Sequence, residues 1–418
     1  MIVRPRTIEA AAKALAYAQE AQMKVCVKSG GHNVSGAFMR SNGMLLDLGG
    51  FARIDPSAES ATAWVEPAAW SWNLAKAIEP LGFGFPYAHC ATVPMGGYLL
   101  GGGIGVNGDA WGGIACHSVE AVKVLLANGE IVTADAENNA DLYWAARGGG
   151  TGFFGAVIDF KLKLYLAATD IAERVILYPI DAAREVARWL EHLAKICPKE
   201  IELMMMLAHR PPPLAGSTAR EKTMCLARLA AFGNAEAPAA ALMDEISNAA
   251  APDGALLPAI DSKPSMAQVM IGSVDPHMGL GFGRYRVDTI WTDNLADAIA
   301  PVVEVFIEVP SPKSHVLATP RHGAAIRPDA AFSSLGSSFI GIYSVWDLEA
   351  DDDANIASTN AIANLMAPSA VGRYINETDG FAFPDKIAAC YSQNALRRLD
   401  NLRTHYDPSG VFHKFPGA

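Results

Sequence analysis

Two side chains in this sequence stand out because of what surrounds them. His32 lies in Ser29-Gly30-Gly31-His32-Asn33, directly after the strand-like run Lys24-Val25-Cys26-Val27-Lys28. Cys90 lies in His89-Cys90-Ala91-Thr92-Val93-Pro94-Met95-Gly96-Gly97, which runs on into Gly101-Gly102-Gly103-Ile104-Gly105. Imidazole and thiol are the groups whose nucleophilicity is most easily tuned near neutral pH. Glycine at this density disfavours helix and strand by about 0.5 to 1 kcal/mol per residue relative to alanine, so the two pieces need another reason to exist. Backbone N–H groups converging on a phosphate are the commonest one, because a residue without Cβ lets the chain approach an anion closely. Each side chain also has a plainer use: a histidine can cap a turn, and an unpaired cysteine is most often a small buried hydrophobe.

The elements that must position these residues can be read in outline. Thr7 caps a helix over 8–21, which leads into the strand over 24–28. Short strands are expected at 44–48, near Arg53 and at 63–66, then a helix over about 72–79. Asn128-Gly129, between the apolar runs 119–127 and 130–134, predicts a hairpin with a type I′ turn, which needs φ > 0 at both central residues. A short helix from Asn139 through Trp144 and a half-buried strand over 155–166 follow. Two stretches satisfy GxGxxG, at 150–155 and 103–108. A dinucleotide fingerprint must follow a strand and open a helix; the first follows a helix and opens a strand, and the second continues into loop.

From about residue 167 the chain changes character. Helices at 181–196, 235–249 and 294–308 alternate with strands at 201–208, 222–231, 284–291, 315–319 and 338–346, and 252–264 reads as loop. Such runs predict an antiparallel sheet with helices to one side, an α+β arrangement. A final helix spans about 392–405.

Composition narrows the function. A chain of 418 residues with 51% apolar side chains can bury a large core and favours two or three domains. A net charge of −11 without a basic block argues against nucleic acid or an anionic membrane as partner. There is no run of about 18 apolar residues and no signal-peptide pattern, so a cytoplasmic protein is expected. Six scattered cysteines without a CxxC pair argue against a disulfide framework and against a metal site.

The two glycine pieces resemble those of the FAD-binding PCMH-type (vanillyl-alcohol-oxidase) superfamily, in particular its berberine-bridge-enzyme-like branch. The resemblance covers roughly 1–165 and the last 50 or so residues. It implies a two-lobed α+β protein: an FAD-binding domain over 1–166, a substrate domain over 167–367 whose sheet roofs the flavin, and a segment over 368–418 that returns to the FAD domain. By this resemblance His32 is joined to the flavin 8α-methyl and Cys90 to C6. The implied cradle comprises Ser29, Gly30, Gly31, Asn33, Gly36, Val93, Gly96, Gly97, Gly101, Gly102, Gly105, Val106, Gly152, Gly155, Val157, Tyr374 and Asn376. Relatives carry more chain ahead of the first strand than 1–5 provides, and His117-Ser118 departs from their acidic or amide residues.

The implied activity is oxidation of an alcohol-type small molecule, a sugar, phenolic or alkaloid-like compound, by hydride transfer to flavin N5. A base is then needed for the accompanying proton. Many relatives use a tyrosine just after Tyr-x-Asn; here Tyr374-Ile375-Asn376 is followed by Glu377, which becomes the candidate base with Tyr374 beside it. Tyr285, Asp288, His322 and Tyr343 are further candidates on or beside strands, and Trp291, Tyr343 and Trp346 are a candidate aromatic platform. The residue three after the attachment cysteine, Val93, is small, which in the family goes with oxygen access. That favours an oxidase releasing H2O2, of the alcohol-oxidising or ring-closing type. A dehydrogenase or oxidative cyclase with another acceptor, and a non-catalytic binding module, remain as alternatives.

Overall fold

The computed structural model describes residues 1–246, 249–272, 283–322, 328–333 and 335–416. The chain divides into two compact units, one of Met1–Ala167, Arg327–Ser333 and Asp379–Ala418, the other of Ala168–Ile326 and Ser334–Thr378.

The first unit opens with β1 (Ile2–Val3), α1 (Ile8–Glu20), β2 (Lys24–Lys28) and β3 (Gly43–Asp47), the strands forming a parallel sheet of order β1-β3-β2. Thr7 caps α1 by accepting from the Ala10 N–H. The helix buries Ala11, Ala14, Leu15 and Ala18, the i, i+3, i+4, i+7 stripe of an amphipathic helix, against Val25, Met44 and Leu46. Next come β4 (Ile54–Ser57), β5 (Thr62–Val65), α2 (Ser71–Ile78), β6 (Phe83–Gly84), α3 (Met95–Leu100), β7 (Val119–Leu125), β8 (Ile131–Asp135), α4 (Ala140–Ala146), β9 (Ala156–Lys163) and β10 (Tyr165–Leu166). Five of these strands make an antiparallel sheet of order β4-β5-β9-β7-β8.

The β7–β8 hairpin is present, but its turn is not type I′. Only Gly129 lies in the left-handed region, at φ 84°, and the Gly129 N–H donates to Leu126 O at 3.0 Å. A longer turn closing on one left-handed glycine satisfies the strand twist without requiring Asn128 to adopt φ > 0.

The second unit is a seven-stranded antiparallel sheet of β11 (Asp170–Pro179), β12 (Ile201–His209), β13 (Thr223–Gly233), β14 (Ile260–Ser262), β15 (Arg284–Thr292), β16 (His315–Pro320) and β17 (Ser338–Trp346), in the order β14-β11-β13-β12-β16-β17-β15. One face carries α5 (Ala183–Ile196), α6 (Ala239–Glu245), α8 (Leu295–Ile299), α9 (Val303–Ile307) and α10 (Asp352–Met366), with α7 (Met266–Gly272) also in this unit. Val186, Leu190 and Leu193 of α5 pack on Leu203, Met205 and Leu207 of β12, all buried; each such side chain contributes about 1.5–3 kcal/mol. The helix expected from 235 begins at Ala239, because Pro238 sits at its N-cap. Within the stretch expected as loop, Ile260–Ser262 pairs with β11 as an edge strand.

After its passage through the first unit at Arg327–Ser333, the chain returns there for its remaining length at Asp379 and not at 368. Residues 371–378 stay with the sheet of the second unit: the Trp291 N–H donates to Gly372 O at 2.8 Å, Arg373 bonds Asp288 at 2.7 Å, and the hydroxyls of Thr378 and Thr289 lie 3.0 Å apart. The last helix, α11 (Gln393–Tyr406), is capped by Ser392. Its Arg403 donates to Gly152 O and Phe412 O, and Val25 bridges Phe412, so the C-terminus lies beside β2.

Candidate active site

In the first unit the two glycine pieces meet. A Cβ on Gly30 would stand 2.6 Å from Pro94 Cγ, and one on Gly96 would stand 2.8 Å from Pro67 and 3.0 Å from Ser29 Cβ. A larger residue at either place would force its neighbours to shift, so glycine lets the backbone of each loop close on the side chains of the other. Gly31 at φ 77° turns the chain after β2. Asn33 then closes the loop, its Oδ1 accepting from the Ala37 N–H at 2.9 Å and from Ser35 Oγ at 2.8 Å, while the Gly36 N–H donates to Asn33 O.

This packing brings His32 Nε2 to 3.6 Å from Cys90 Sγ. Thr92 Oγ1 completes the group, 3.3 Å from His32 Nε2 and 3.4 Å from Cys90 Sγ. Burial alone would push the Cys90 thiol up, but the hydrogen bonds from His32 and Thr92 outweigh it and bring the thiol down to about 7. Its neighbours thus favour the thiolate, the form that acts as nucleophile, more than in an ordinary cysteine. Cys116, fully buried, is pushed up to about 12, and burial likewise raises Cys26. His32 is exposed and Cys90 half-buried, so both can be reached.

The remaining cradle residues fall into two groups. Val93 stays beside the pair, its carbonyl accepting from the Ser71 N–H and hydroxyl at 2.9 and 3.0 Å. Gly97 is exposed, and a Cβ there would meet nothing within 4 Å. The others have partners within the chain. Gly102, at φ 121°, passes against the Phe332 ring, Gly105 against Pro86 O, Gly152 against the Phe415 ring and Gly155 against Val124. The Gly101 N–H donates to Gly97 O at 3.1 Å and the Val106 N–H to Tyr87 O at 2.8 Å, and Val157 is buried in β9 opposite Val124. Internal packing is enough to require these positions.

The candidates from the chain's later part lie in the second unit. Tyr374 is buried, its N–H donating to Thr289 Oγ1 at 3.1 Å, and Asn376 Nδ2 donates to its hydroxyl at 3.1 Å. Glu377 accepts a short hydrogen bond from the Tyr343 hydroxyl. Burial, then the Glu377 carboxylate, holds Tyr343 well above the usual phenol range, so it stays a phenol. Its ring is fixed from two sides. His315, its cross-strand partner, stacks on it at 5.0 Å and 19°. A Cβ on Gly341 would lie 2.4 Å from the Tyr343 ring, so only glycine leaves room for the ring to lie along the sheet.

The other candidates separate. Asp288 is fully buried on an ion pair with Arg373. His322 lies 3.1 Å from Cys197. Tyr285 pairs with Val345 at the far end of β15. Trp291 packs on Phe339, and Trp346 donates to Asp352 on the helix-bearing face, so by strand alternation Trp291, Tyr343 and Trp346 make no common platform. Three contributors were not singled out from sequence: Thr92, His315 and Gly341. Only Gly341 carries a signal, a glycine inside an otherwise β-branched and aromatic strand.

The family described as an FAD binding domain matches residues 1–135. FAD-linked oxidoreductase penO of Penicillium crustosum is 27% identical over 410 residues, covering 98% of this chain and 88% of that protein. Berberine bridge enzyme-like 23 of Arabidopsis thaliana is 35% identical over 203 residues, 47% of this chain and 38% of that protein. Among solved structures, BBE-like #28 from Arabidopsis thaliana superposes with a TM-score of 0.83 at 19% identity, covering 99% of this chain and 90% of that one. With these FAD-linked oxidoreductases and berberine-bridge-enzyme-like proteins the chain shares an FAD binding domain over 1–135 and, by superposition, its fold. No helix among the described residues is long and apolar enough to cross a membrane.

Proposed function

We propose that this protein holds FAD by two covalent bonds, one to His32 and one to Cys90, and oxidises an alcohol-type small molecule with O2 as the final acceptor, giving H2O2. The observation that carries the reading is the 3.6 Å approach of His32 Nε2 to Cys90 Sγ, from loops 58 residues apart, with Cys90 a free thiol. The donor set fits the cofactor: an exposed imidazole, a thiol near 7, and an exposed glycine, Gly97, on the same loop as Cys90. When bound, FAD supplies the hydride acceptor.

The chain's own part is to hold the substrate and move its proton. Tyr343 stays protonated and donates to Glu377, so the carboxylate of Glu377 is the group assigned to take the substrate hydroxyl proton. Tyr374 and Asn376 hold the backbone that presents Glu377, whose N–H donates to Tyr374 O at 3.1 Å. Val93 keeps the ground three residues beyond Cys90 small, which supports O2 as the acceptor.

Acid precipitation of the purified protein tests the attachment. A yellow pellet supports it, and a colourless pellet with flavin in the supernatant contradicts it. Stoichiometric H2O2 under air supports the oxidase reading, and turnover only with a quinone or dye contradicts it.

A further inference from the structure

The face of the seven-stranded sheet opposite the helices carries a continuous rung of directly paired residues: Leu226 faces Met206, Met206 faces Leu317, and Leu317 faces Gly341. Gly341 is the residue over which the Tyr343 ring lies. Leu226, Met206 and Leu317 are each half-buried and so keep apolar surface open. The charges nearby are neutralised among themselves, since Arg228 is held by Glu173 at 2.6 Å and Glu202 at 2.9 Å. A polyhydroxylated ring laid on this rung would lose water from its hydroxyls and gain no partner from it, a costly exchange.

One polar group on the same face has a different standing. Thr319 follows Leu317 by two residues on β16, so it shares the face, and its Oγ1 is buried with no hydrogen-bond partner among the described residues. His315, Leu317 and Thr319 therefore run along one strand as an aromatic flank to Tyr343, an apolar middle and a lone hydroxyl. At about 3.3 Å per residue the strand separates the first from the last by roughly 13 Å.

We propose that the substrate is an apolar fused-ring or isoprenoid-sized alcohol, not a sugar, laid along β16 with its reacting carbinol at the Tyr343–Glu377 pair, its apolar body on Leu317, Met206 and Leu226, and one distal polar group on Thr319. This rests on Glu377 being the proton acceptor. Met206 suits the role, because an unbranched thioether adapts to varied apolar shapes.

The test is equilibrium binding to the flavin-loaded protein of 2-naphthylmethanol, 6-hydroxy-2-naphthylmethanol, D-glucose and cellobiose, by calorimetry. The naphthyl alcohols are expected to bind at least 100-fold more tightly than either sugar. Leu317→Asn should weaken both naphthyl probes about tenfold or more. Thr319→Val should weaken only the hydroxylated probe. Tighter binding of a sugar, no saturable binding of either naphthyl alcohol, or unchanged naphthyl affinity in Leu317→Asn overturns the substrate class, and an equal effect of Thr319→Val on both probes overturns the anchor. Failure of the underlying reading shows elsewhere, as a Glu377→Gln protein that reduces its flavin at the parent rate while these affinities stand.

Discussion

The two regions proposed to carry the chemistry are built by opposite means. The His32–Cys90 pair stands on loops, and what fixes it is missing side-chain volume: Gly30 and Gly96 let the two loops close on Pro94 and Ser29. The Tyr343–Glu377 pair stands on a sheet, and what fixes it is surrounding volume: a buried ring clamped by His315 and lying over Gly341. In the first, neighbours lower a thiol to about 7 and make it reactive. In the second, burial holds a phenol protonated, which leaves its carboxylate partner as the proposed base. A loop site exposes groups for a bond to be made once; a sheet site keeps the same geometry through every turnover.

Changes at each region should therefore fail differently. The largest effect belongs to the loops: His32→Ala with Cys90→Ala leaves no flavin on the acid-precipitated protein, while each single change leaves some, read by absorbance of the redissolved pellet. Next comes Glu377→Gln, expected to slow anaerobic flavin reduction by about 10²- to 10⁴-fold with flavin content unchanged. If it instead lost the flavin, the two regions would not be separable.

A smaller effect is expected from Gly341→Ala. Overpacking against the Tyr343 ring costs about 1–3 kcal/mol, seen as a lower denaturation midpoint together with slower flavin reduction, again with attachment intact. Val93→Leu should slow reoxidation by O2 and leave reduction alone, measured by stopped flow. The smallest change is Thr92→Val in flavin-free protein. Cys90 alkylation by iodoacetamide should rise with pH, with a midpoint near 7. Losing the Thr92 hydrogen bond removes support for the thiolate, so the midpoint moves up; Cys116 stays unreacted throughout.

The same contrast explains what the sequence disclosed. The loop pair was legible because its determinants are local: glycines, a histidine and a cysteine within two short stretches. The α+β class followed from periodicity, and the helix-bearing sheet of the second unit has the expected strands. The sheet pair was not legible as a pair. Glu377 could be named from its place after Tyr374 and Asn376, but its partner Tyr343 depends on the register of β17 and on a rotamer that Gly341 permits. The return at Asp379 was hidden for a similar reason, since Arg373 and Thr378 are retained by Asp288 and Thr289, partners far away in sequence. Thr92 is an ordinary loop hydroxyl until the two loops meet.

The account turns on one cofactor bonded to both loops. Proteolysis of the denatured holoprotein, followed by mass determination of every flavin-bearing fragment, tests this most directly. A single species is predicted, whose mass equals one FAD joined to the fragment containing His32 and the fragment containing Cys90. Flavin released free, or carried by a fragment containing neither residue, would contradict it.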